Sequence, residues 1–535
     1  MNRRKFLRNT MPAAVTLPGL LNGFSFSAYG SSPSASISSL LGNTAANDHI
    51  LVLIQLAGGN DGLNMVVPLD MYANYYGART NVAIPQSKVL RLDGTDKTGL
   101  HPAMTDMQNL YSDGKLSIVQ SVGYENQNFS HFRSTDIWMT GDDTASRSER
   151  VKTGWLGRYI DSEYPGYPDS YPSNKMPDPL AIEISNLSSL SMQGPILSMG
   201  MTISDPNNIY SFANPFSDYA LDSVSANTEL HYLREISEKT KVYSEIIRSA
   251  YAKSANKGAY PENNLAHQLQ IVARLIAGGL KTRVYSVKLA GFDTHKKQVN
   301  SGDTTTGTHA QLMKDLSTAM SAFQKDLELL NLDDRVIGMT FSEFGRRIKS
   351  NASMGTDHGA AAPLLLFGKN VKRGILGKSP DIPAGIETDT NIPFQYDFRS
   401  VYASVMERWF CVDQASINRL LLKNYQSLPV IDGAACGITD TIDDNNNDSA
   451  GLTLTMSPNP YSSYGRIIFS VKSGFTLIQQ INALGRVVKV HTRQQYNEGT
   501  YSLTVGDDGL PGGIYFLRLQ NGSLQKVITI AKAGH

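Results

Sequence analysis

Side chains that bind metal ions recur in separate polar stretches of this sequence, each beside an apolar run. They are Asp61, Asp293, His295, Glu343, Asp357 and His358. Carboxylates together with imidazoles form a ligand set that suits zinc or manganese. If the fold brings the stretches together, we expect Asp61, Asp293, His295, Asp357 and His358 to bind one or two divalent ions, zinc, manganese or calcium.

A candidate nucleophile lies in the stretch NQNFSHFRSTDIWMTG. Ser130 and His131 come just before a predicted helix, where backbone N–H groups favour an anionic oxygen. A bound metal ion would activate the hydroxyl group, and we predict that both residues are catalytic. Ser130 as a simple helix cap is the alternative, and Ser134 and Thr135 are rivals for the same role.

Arginines near these stretches offer a second catalytic element. Arg133 and the Arg346-Arg347 pair are suited to bidentate binding of an oxyanion, and Arg346 is our candidate. Structural ion pairs are the other explanation for all three.

The strands and helices that would position these residues can be predicted from apolar runs and from apolar residues at helical spacing. The runs at 49–62, 116–123, 283–295, 335–345 and 362–368 are typical of buried strands. Residues 309–330 carry apolar residues at helical spacing, and residues 228–277 favour two or three helices. This alternation predicts an α/β fold with a doubly wound, mostly parallel sheet. In such sheets the active site lies at the carboxyl ends of the strands.

Composition narrows the class of protein. With 535 residues the chain exceeds one small core, and a net charge of +1 gives no global field for nucleic acid or anionic membranes. No segment has the length and apolar character of a transmembrane helix. The two cysteines, Cys411 and Cys436, form one bridge or remain as two thiols; both alternatives stand.

The two ends of the chain differ from its centre. Residues 1–30 contain Arg3-Arg4-Lys5-Phe6-Leu7 and resemble a twin-arginine signal peptide, followed by a flexible leader at 31–48. Residues 437–451 have the Asp/Asn-rich composition of a linker. Residues 452–535 alternate in the manner of a small antiparallel β-sandwich. With their LGRVV and LPGGIYFLRL motifs they resemble the type A C-terminal sorting domain of the type IX secretion system.

Six sequence blocks between residues 49 and 436 carry a family resemblance. They are LAGGNDGLNMVVP, SHFRSTDIW, TGWLGRY, GFDTH, SEFGRR and GTDHG. In this order they resemble the bacterial secreted family called domain of unknown function 1501, which in turn resembles the alkaline phosphatase and sulfatase superfamily. The resemblance implies one metal held by Asp61, Asp357 and His358 beside the nucleophile, and a second held by Asp293 and His295.

The chain also departs from that superfamily. Its second pair reads Asp-Thr-His rather than Asp-x-x-x-His, and a late histidine is missing, for which His309 or His131 would substitute. The resemblance implies an exported hydrolase of phosphate or sulfate esters, acting on a small molecule or a glycan and handled by the twin-arginine and type IX machineries. It would reside in the periplasm in transit, and then at the cell surface or outside. The alternative is a non-catalytic surface-binding protein on the same fold.

Overall fold

The computed structural model describes residues 48–168, 170–186, 188–195, 197–206 and 228–432, and two short strands at 19–21 and 24–26. It also describes residues 452–532 with gaps at 458, 460, 462–463, 483–486, 506–508 and 522–523. The chain divides into two compact units, residues 1–439 and 440–535. Most of the predicted signal peptide, the leader and the 437–451 linker lie outside the described residues.

The first unit contains short strands and long buried ones. In chain order they are β1 (Gly19–Leu21), β2 (Phe24–Phe26), β3 (Ile50–Ala57), β4 (Val66–Pro68), β5 (Leu90–Arg91), β6 (Thr98–Leu100), β7 (Leu116–Gly123), β8 (Ala181–Ile184), β9 (Gly200–Ile203), β10 (Val284–Ala290), β11 (Val336–Phe341), β12 (Arg346–Ser350), β13 (Thr356–His358), β14 (Ala362–Phe367), β15 (Gly374–Leu376) and β16 (Tyr396–Asp397).

Helices fill the connections. They are α1 (Gly62–Met65), α2 (Tyr72–Ala78), α3 (Thr105–Ser112), α4 (His131–Thr140), α5 (Trp155–Glu163), α6 (Thr228–Lys253), α7 (Asn264–Ala277), α8 (Thr308–Leu330), α9 (Phe398–Ser404) and α10 (Gln414–Leu420). Short 3-10 turns occur at Gln86–Lys88, Leu190–Met192 and Asp333–Arg335, and a π-helical turn at Val405–Trp409.

A nine-stranded mixed sheet organises this unit. Its order is β15-β7-β14-β11-β3-β10-β8-β9, and β16 also pairs with β7. Strand β3 pairs in parallel with β10 and β11, β8 lies parallel to β9 and β10, and β15 and β16 run parallel to β7. The side chains of β3 are buried along nearly its whole length, which is why its apolar run shows no alternation. The prediction of an α/β fold with a mostly parallel sheet is confirmed.

Strand β14 runs against the others. It pairs antiparallel with both β11 and β7. Because its direction is reversed, its amino end lies at the edge of the sheet where its neighbours have their carboxyl ends. The segment that precedes it, with Asp357 and His358, is thereby delivered to the same edge as the residues that follow β10 and β11.

Local sequence sets the bounds of the helices at this edge. Helix α4 begins after Ser130, which has extended backbone angles, and ends at Gly141 in the left-handed region with φ 74°. Helix α8 spans 23 residues with one buried stripe and ends at Asn331, also left-handed. Two helices, α6 and α7, occupy the predicted 228–277 region.

The second unit is built from antiparallel strands. They are β17 (Thr453–Ser457), β18 (Gly465–Val471), β19 (Gly474–Asn482), β20 (Val487–Tyr496), β21 (Gly499–Val505), β22 (Gly513–Asn521) and β23 (Leu524–Lys532). They form two sheets, β17-β18-β21 and β20-β19-β22-β23, over a shared apolar core that includes Phe469 and Leu517. The predicted small antiparallel β structure is confirmed.

Two further findings bear on the sequence predictions. Cys411 is disulfide-bonded, and Cys436 lies outside the described residues. Within the part of the chain that the structure describes, no helix is long and apolar enough to cross a membrane.

Candidate metal centre

Four chain segments meet at the carboxyl edge of the sheet. The turn after β10 carries Asp293 and His295, and the segment after β11 carries Glu343. The first turn of α4 carries His131, and the β13 strand carries Asp357 and His358. The structure therefore brings together four of the five predicted ligands and adds His131.

Each of the three histidines is held through its Nδ1 atom. His131 Nδ1 lies 2.9 Å from Glu343 Oε1, His295 Nδ1 lies 2.9 Å from Asp357 Oδ1, and His358 Nδ1 lies 2.8 Å from the carbonyl oxygen of Phe129. Carboxylate and carbonyl oxygens only accept hydrogen bonds, so in each ring Nδ1–H is the donor. The neutral rings therefore present a bare lone pair at Nε2.

The three Nε2 atoms surround the carboxylate of Asp293. His295 Nε2 lies 3.2 Å and His358 Nε2 lies 3.4 Å from Asp293 Oδ1, while His131 Nε2 lies 3.6 Å from Oδ2. His295 Nε2 and His358 Nε2 are only 2.9 Å apart. Two lone pairs at that distance repel each other unless a cation or a proton lies between them. A positive charge between these Nε2 atoms and the Asp293 carboxylate would therefore stabilise the arrangement.

The distances fit a bound metal ion. A tetrahedral zinc ion with nitrogen and oxygen ligands at about 2.0–2.1 Å keeps those ligand atoms about 3.3–3.4 Å from one another. The three distances from Nε2 to the carboxylate of Asp293, 3.2, 3.4 and 3.6 Å, lie near that value, whereas His295 Nε2 and His358 Nε2 are closer, at 2.9 Å. One ligand atom each from His131, Asp293 and His358 lie within 4.8 Å of one another. Hydrogen bonds that fix the second ring nitrogen, as Glu343 and Asp357 provide here, are the usual support of metal-bound histidines.

Electrostatics favour the metal-binding forms of Asp293 and His358. Burial acts to raise the pKa of Asp293, but the hydrogen bond and charge of Arg346 outweigh it and lower the pKa below 3.8. Burial lowers the pKa of His358 below 6.5, and the positive charge of Arg346 acts in the same direction. An ionised carboxylate and a neutral imidazole are the forms that bind metal.

Arg346 fixes Asp293 in place. Its guanidinium is fully buried and donates to the carboxylate of Asp293 at 2.8 Å. It also donates to the backbone carbonyls of Gly58, Gly59, Phe292 and Thr356. Through these hydrogen bonds the Arg346 guanidinium connects the turn after β3 to the turn after β10. The oxyanion-binding role predicted for it stays a prediction.

Two loops that carry ligands are tied to each other. Lys297 N donates to Ser353 O at 3.0 Å, and Gln298 N donates to Met354 O at 2.8 Å. Lys297 and Met354 adopt φ values of 52° and 54°, a costly conformation for residues other than glycine. A Cβ atom on Gly355 would lie 2.3 Å from the carbonyl oxygen of His295. Only glycine permits this approach, so Gly355, two residues before Asp357, allows the two loops to pack.

Asp61 lies apart from the cluster. It is buried, and both of its oxygens accept from Arg79 Nη1, at 2.7 and 2.8 Å. Gln298 Nε2 donates to Oδ2 at 2.5 Å. Arg79 in turn donates to the carbonyls of Arg347 and Ile348. This buried ion pair connects the turn after β3 to β12, and Asp61 accepts three side-chain hydrogen bonds from Arg79 and Gln298.

The predicted nucleophile remains accessible. Ser130 is exposed at the N-terminus of α4, and its side chain makes no capping hydrogen bond. Its rival Ser134 is fully buried and bonds to Tyr124, Gln127 and the carbonyl of Glu343. Arg133 donates to the carbonyls of Asp142 and Thr144. Ser130 is thus an exposed hydroxyl beside His131, while its other rival, Thr135, is half-buried in α4.

Of the two histidines proposed to replace the missing late one, His131 lies in the cluster. His309 is buried elsewhere, 3.3 Å from Asn60 Oδ1 and edge-on to His101, and burial lowers its pKa to about 4. From the sequence we predicted His131 as a catalytic residue and as one of two substitutes for the missing histidine, and Glu343 was a metal-competent side chain outside the predicted ligand set. Their positions could have indicated this role, because Glu343 closely follows a buried strand and His131 begins a helix.

Comparison with solved structures finds remote similarity. The matches include a protein in the alkaline phosphatase superfamily from Vibrio parahaemolyticus, at 9% identity over 86% of this chain and 80% of that chain, with a TM-score of 0.29. PsFucS1 sulfatase from Pseudoalteromonas sp. matches at 9% identity over 85% and 84%, with a TM-score of 0.27. The phosphonate monoester hydrolase SpPMH from Silicibacter pomeroyi matches at 9% identity over 90% and 89%, with a TM-score of 0.29.

Sequence comparisons are more specific for two segments. A comparison with curated proteins finds no match to this chain. The segment at 218–421, which includes Asp293, His295 and His358, matches the family described as protein of unknown function (DUF1501), and residues 455–532 match the secretion system C-terminal sorting domain.

Proposed function

We propose that this protein is an exported hydrolase of phosphate or sulfate esters that works with one divalent metal ion held by His131, Asp293, His295 and His358. The observation that carries the proposal is the convergence of three Nε2 lone pairs on one ionised carboxylate. A set of three nitrogens and one oxygen favours zinc or a similar transition-metal ion. Calcium, with its preference for six to eight oxygen ligands, suits this set poorly.

The residues around the proposed metal ion have separate roles in orienting its ligands and in attacking the ester. When bound, the metal ion would polarise an ester oxygen and stabilise developing negative charge. Glu343 and Asp357 orient His131 and His295 through Nδ1, and Arg346 holds Asp293. The exposed Ser130 hydroxyl lies next to His131 and at a helix N-terminus, where backbone N–H groups favour an anionic oxygen. In this proposal Ser130 is the nucleophile, and Asp61 serves only the stability of the fold.

The site of action follows from the sorting domain. A segment that matches a secretion sorting domain supports release to the cell surface or the medium, after a transit through the periplasm that the predicted twin-arginine signal would begin. The proposed substrates, phosphate or sulfate esters of small molecules or glycans, have precedent in the sulfatase and phosphonate hydrolase among the structural matches.

Ester turnover by the metal-loaded protein tests the proposal. We would assay 4-nitrophenyl phosphate, 4-nitrophenyl sulfate and a phosphonate monoester with wild type and His358→Ala. The control is His267→Ala, which removes an exposed histidine of α7 outside the cluster. We expect turnover in wild type and in the control, and a loss of at least a hundredfold in His358→Ala. Equal activity in all three variants would refute the proposal.

One feature favours a second function. Four protein ligands fill a tetrahedral zinc site, and closed coordination is typical of structural metals. A metal-stabilised surface-binding protein would have that property. Such a protein would bind the ion and lose thermal stability in His358→Ala, yet hydrolyse none of the esters.

A further inference from the structure

A buried glutamine connects the two segments that carry most of the candidate metal ligands. Gln298 is fully buried, and its amide oxygen accepts from the hydroxyl of Thr294 at 3.0 Å and from the hydroxyl of Thr356 at 2.8 Å. An amide oxygen has two lone pairs, so both of its acceptor positions are used. One side chain thus joins the turn after β10 to strand β13.

Both threonines are close neighbours of metal ligands in the chain. Thr294 lies between Asp293 and His295, and Thr356 comes two residues before His358. The two threonines are buried, whereas the side chains of Asp293 and His295 are 49% and 37% exposed. Each hydroxyl is therefore directed inward to the glutamine, while the neighbouring ligands face the cluster at the surface.

An ionised carboxylate fixes the orientation of the amide. Gln298 Nε2 donates to Asp61 Oδ2 at 2.5 Å. Burial acts to raise the pKa of Asp61, but the charge and hydrogen bonds of Arg79 outweigh it and lower the pKa below 3.8. Because a carboxylate only accepts hydrogen bonds, the NH₂ group must face Asp61 and the oxygen must face the two hydroxyls. Asp61→Asn would keep an acceptor oxygen for this bond, so we expect that variant to keep the orientation.

Main-chain hydrogen bonds place the glutamine between these segments. Gln298 N donates to Met354 O at 2.8 Å, and Gln298 O accepts from His309 N at 3.0 Å in the first turn of α8. Thr356 N also donates to Thr294 O at 3.2 Å. A substitution that removes the amide leaves these main-chain bonds in place. The contribution of the side chain can therefore be measured by itself.

We propose that Gln298 is a positioning residue for the metal centre, and that it sets the distance between the turn with Asp293 and His295 and the strand with His358. The inference rests on the metal ion of the proposed function, but not on ester hydrolysis. Metal–ligand distances lie within about 0.2 Å of fixed values, so a shift between the two segments weakens the bond to at least one ligand. Hydrogen-bond partners of metal ligands typically change affinity by about 10- to 100-fold. Since Gln298 acts through the neighbours of the ligands, we expect the lower end of that range.

Zinc affinity of the full chain, measured by competition with a coloured chelator, tests this role. Thr294→Val and Thr356→Val each replace one hydroxyl by a methyl group, whereas Thr294→Ser and Thr356→Ser keep the hydroxyl. The control is Thr282→Val, at a fully buried threonine before β10 whose hydroxyl donates to the carbonyl of Pro179 at 2.7 Å. We expect both valine variants at the site to bind zinc about 10-fold more weakly. The serine variants and the control should bind zinc like wild type.

A double variant separates positioning from a general loss of stability. Gln298→Met removes the shared acceptor and keeps a side chain of similar size. If the hydroxyls act through Gln298, Thr294→Val should cause no further loss of zinc affinity in the Gln298→Met protein, because the effects of residues in contact are not additive. A further loss of about 10-fold would overturn the shared role. Melting temperatures show whether each variant is folded, and the single threonine variants decide the question if Gln298→Met is not.

The outcomes separate this inference from the proposed function. Valine variants that bind zinc as tightly as wild type, or a control that is weakened equally, overturn the positioning role and leave the metal centre in place. The expected affinities without turnover of any ester refute the hydrolase and leave the role of Gln298 intact. A wild type that binds no zinc overturns both.

Discussion

Asp61 and Asp293 provide a matched pair of carboxylates with opposite expected roles. Asp61 is 1% exposed and bound to Arg79, whereas the side chain of Asp293 is 49% exposed and lies among the three Nε2 atoms. The perturbation is the same in both, replacement by asparagine, which keeps the shape and removes the charge. We expect Asp61→Asn to lower stability and keep the metal, and Asp293→Asn to lose the metal and keep stability.

The magnitude follows from burial. Asp61→Asn leaves the fully buried Arg79 without its counter-charge, which costs about 3–5 kcal/mol. With an unfolding entropy of about 2 cal/mol/K per residue, a unit of roughly 400 residues loses about 4–6 °C in melting temperature. In Asp293→Asn, Arg346 keeps its four backbone acceptors. Because the Asp293 carboxylate is half exposed whereas Asp61 is buried, the metal-free form of Asp293→Asn should melt closer to metal-free wild type than Asp61→Asn does.

The assay combines calorimetry of metal-free protein with elemental analysis after gel filtration. The pattern expected is a low melting temperature with full metal content for Asp61→Asn, and the reverse for Asp293→Asn. A folded Asp61→Asn protein that had lost its metal would refute the reasoning, because it would show that Asp61 is a ligand despite its bond to Arg79.

The remaining predictions concern the support of the site. Asp357→Asn weakens the hydrogen bond that orients His295 and lowers metal affinity by about 10- to 100-fold in a competition with a chelator; unchanged affinity would mean that His295 needs no such support. Because burial lowers the pKa of His358 below 6.5, its ring is neutral at pH 7, and protons displace the metal only in more acid solution. Dialysis at stepped pH should show full occupancy at pH 7 and a decline below 6.5. Ser130→Ala should abolish ester turnover with metal content unchanged, and turnover at the wild-type rate would assign the nucleophile elsewhere.

The strands that position the site could be predicted from the sequence. The runs that became β3, β7, β10, β11 and β14 are continuous and apolar, because these strands are buried in the sheet. The direction of β14 could not be predicted, since the same apolar run suits a strand of either direction. Its reversal is what allows a segment that precedes a strand to meet segments that follow one.

The sequence did not predict which of the site residues contact one another. The resemblance grouped Asp61 with Asp357 and His358, and Asp293 with His295 as a second metal site. In the structure His295 is bonded to Asp357, and His358 lies beside Asp293. Residue types predicted that carboxylates and imidazoles would gather. Which of them touch depends on loops, such as the one ending at Gly355, whose geometry is set only in the folded chain.

The most direct test of the central claim is the metal content of the purified first unit together with the spectrum of its cobalt(II)-substituted form. We expect one ion per chain, a strong visible absorption of the kind that tetrahedral cobalt gives, and loss of both in His131→Ala and His358→Ala. A protein that binds no stoichiometric ion after reconstitution, or that keeps its ion in both variants, would show that these histidines do not form a metal site.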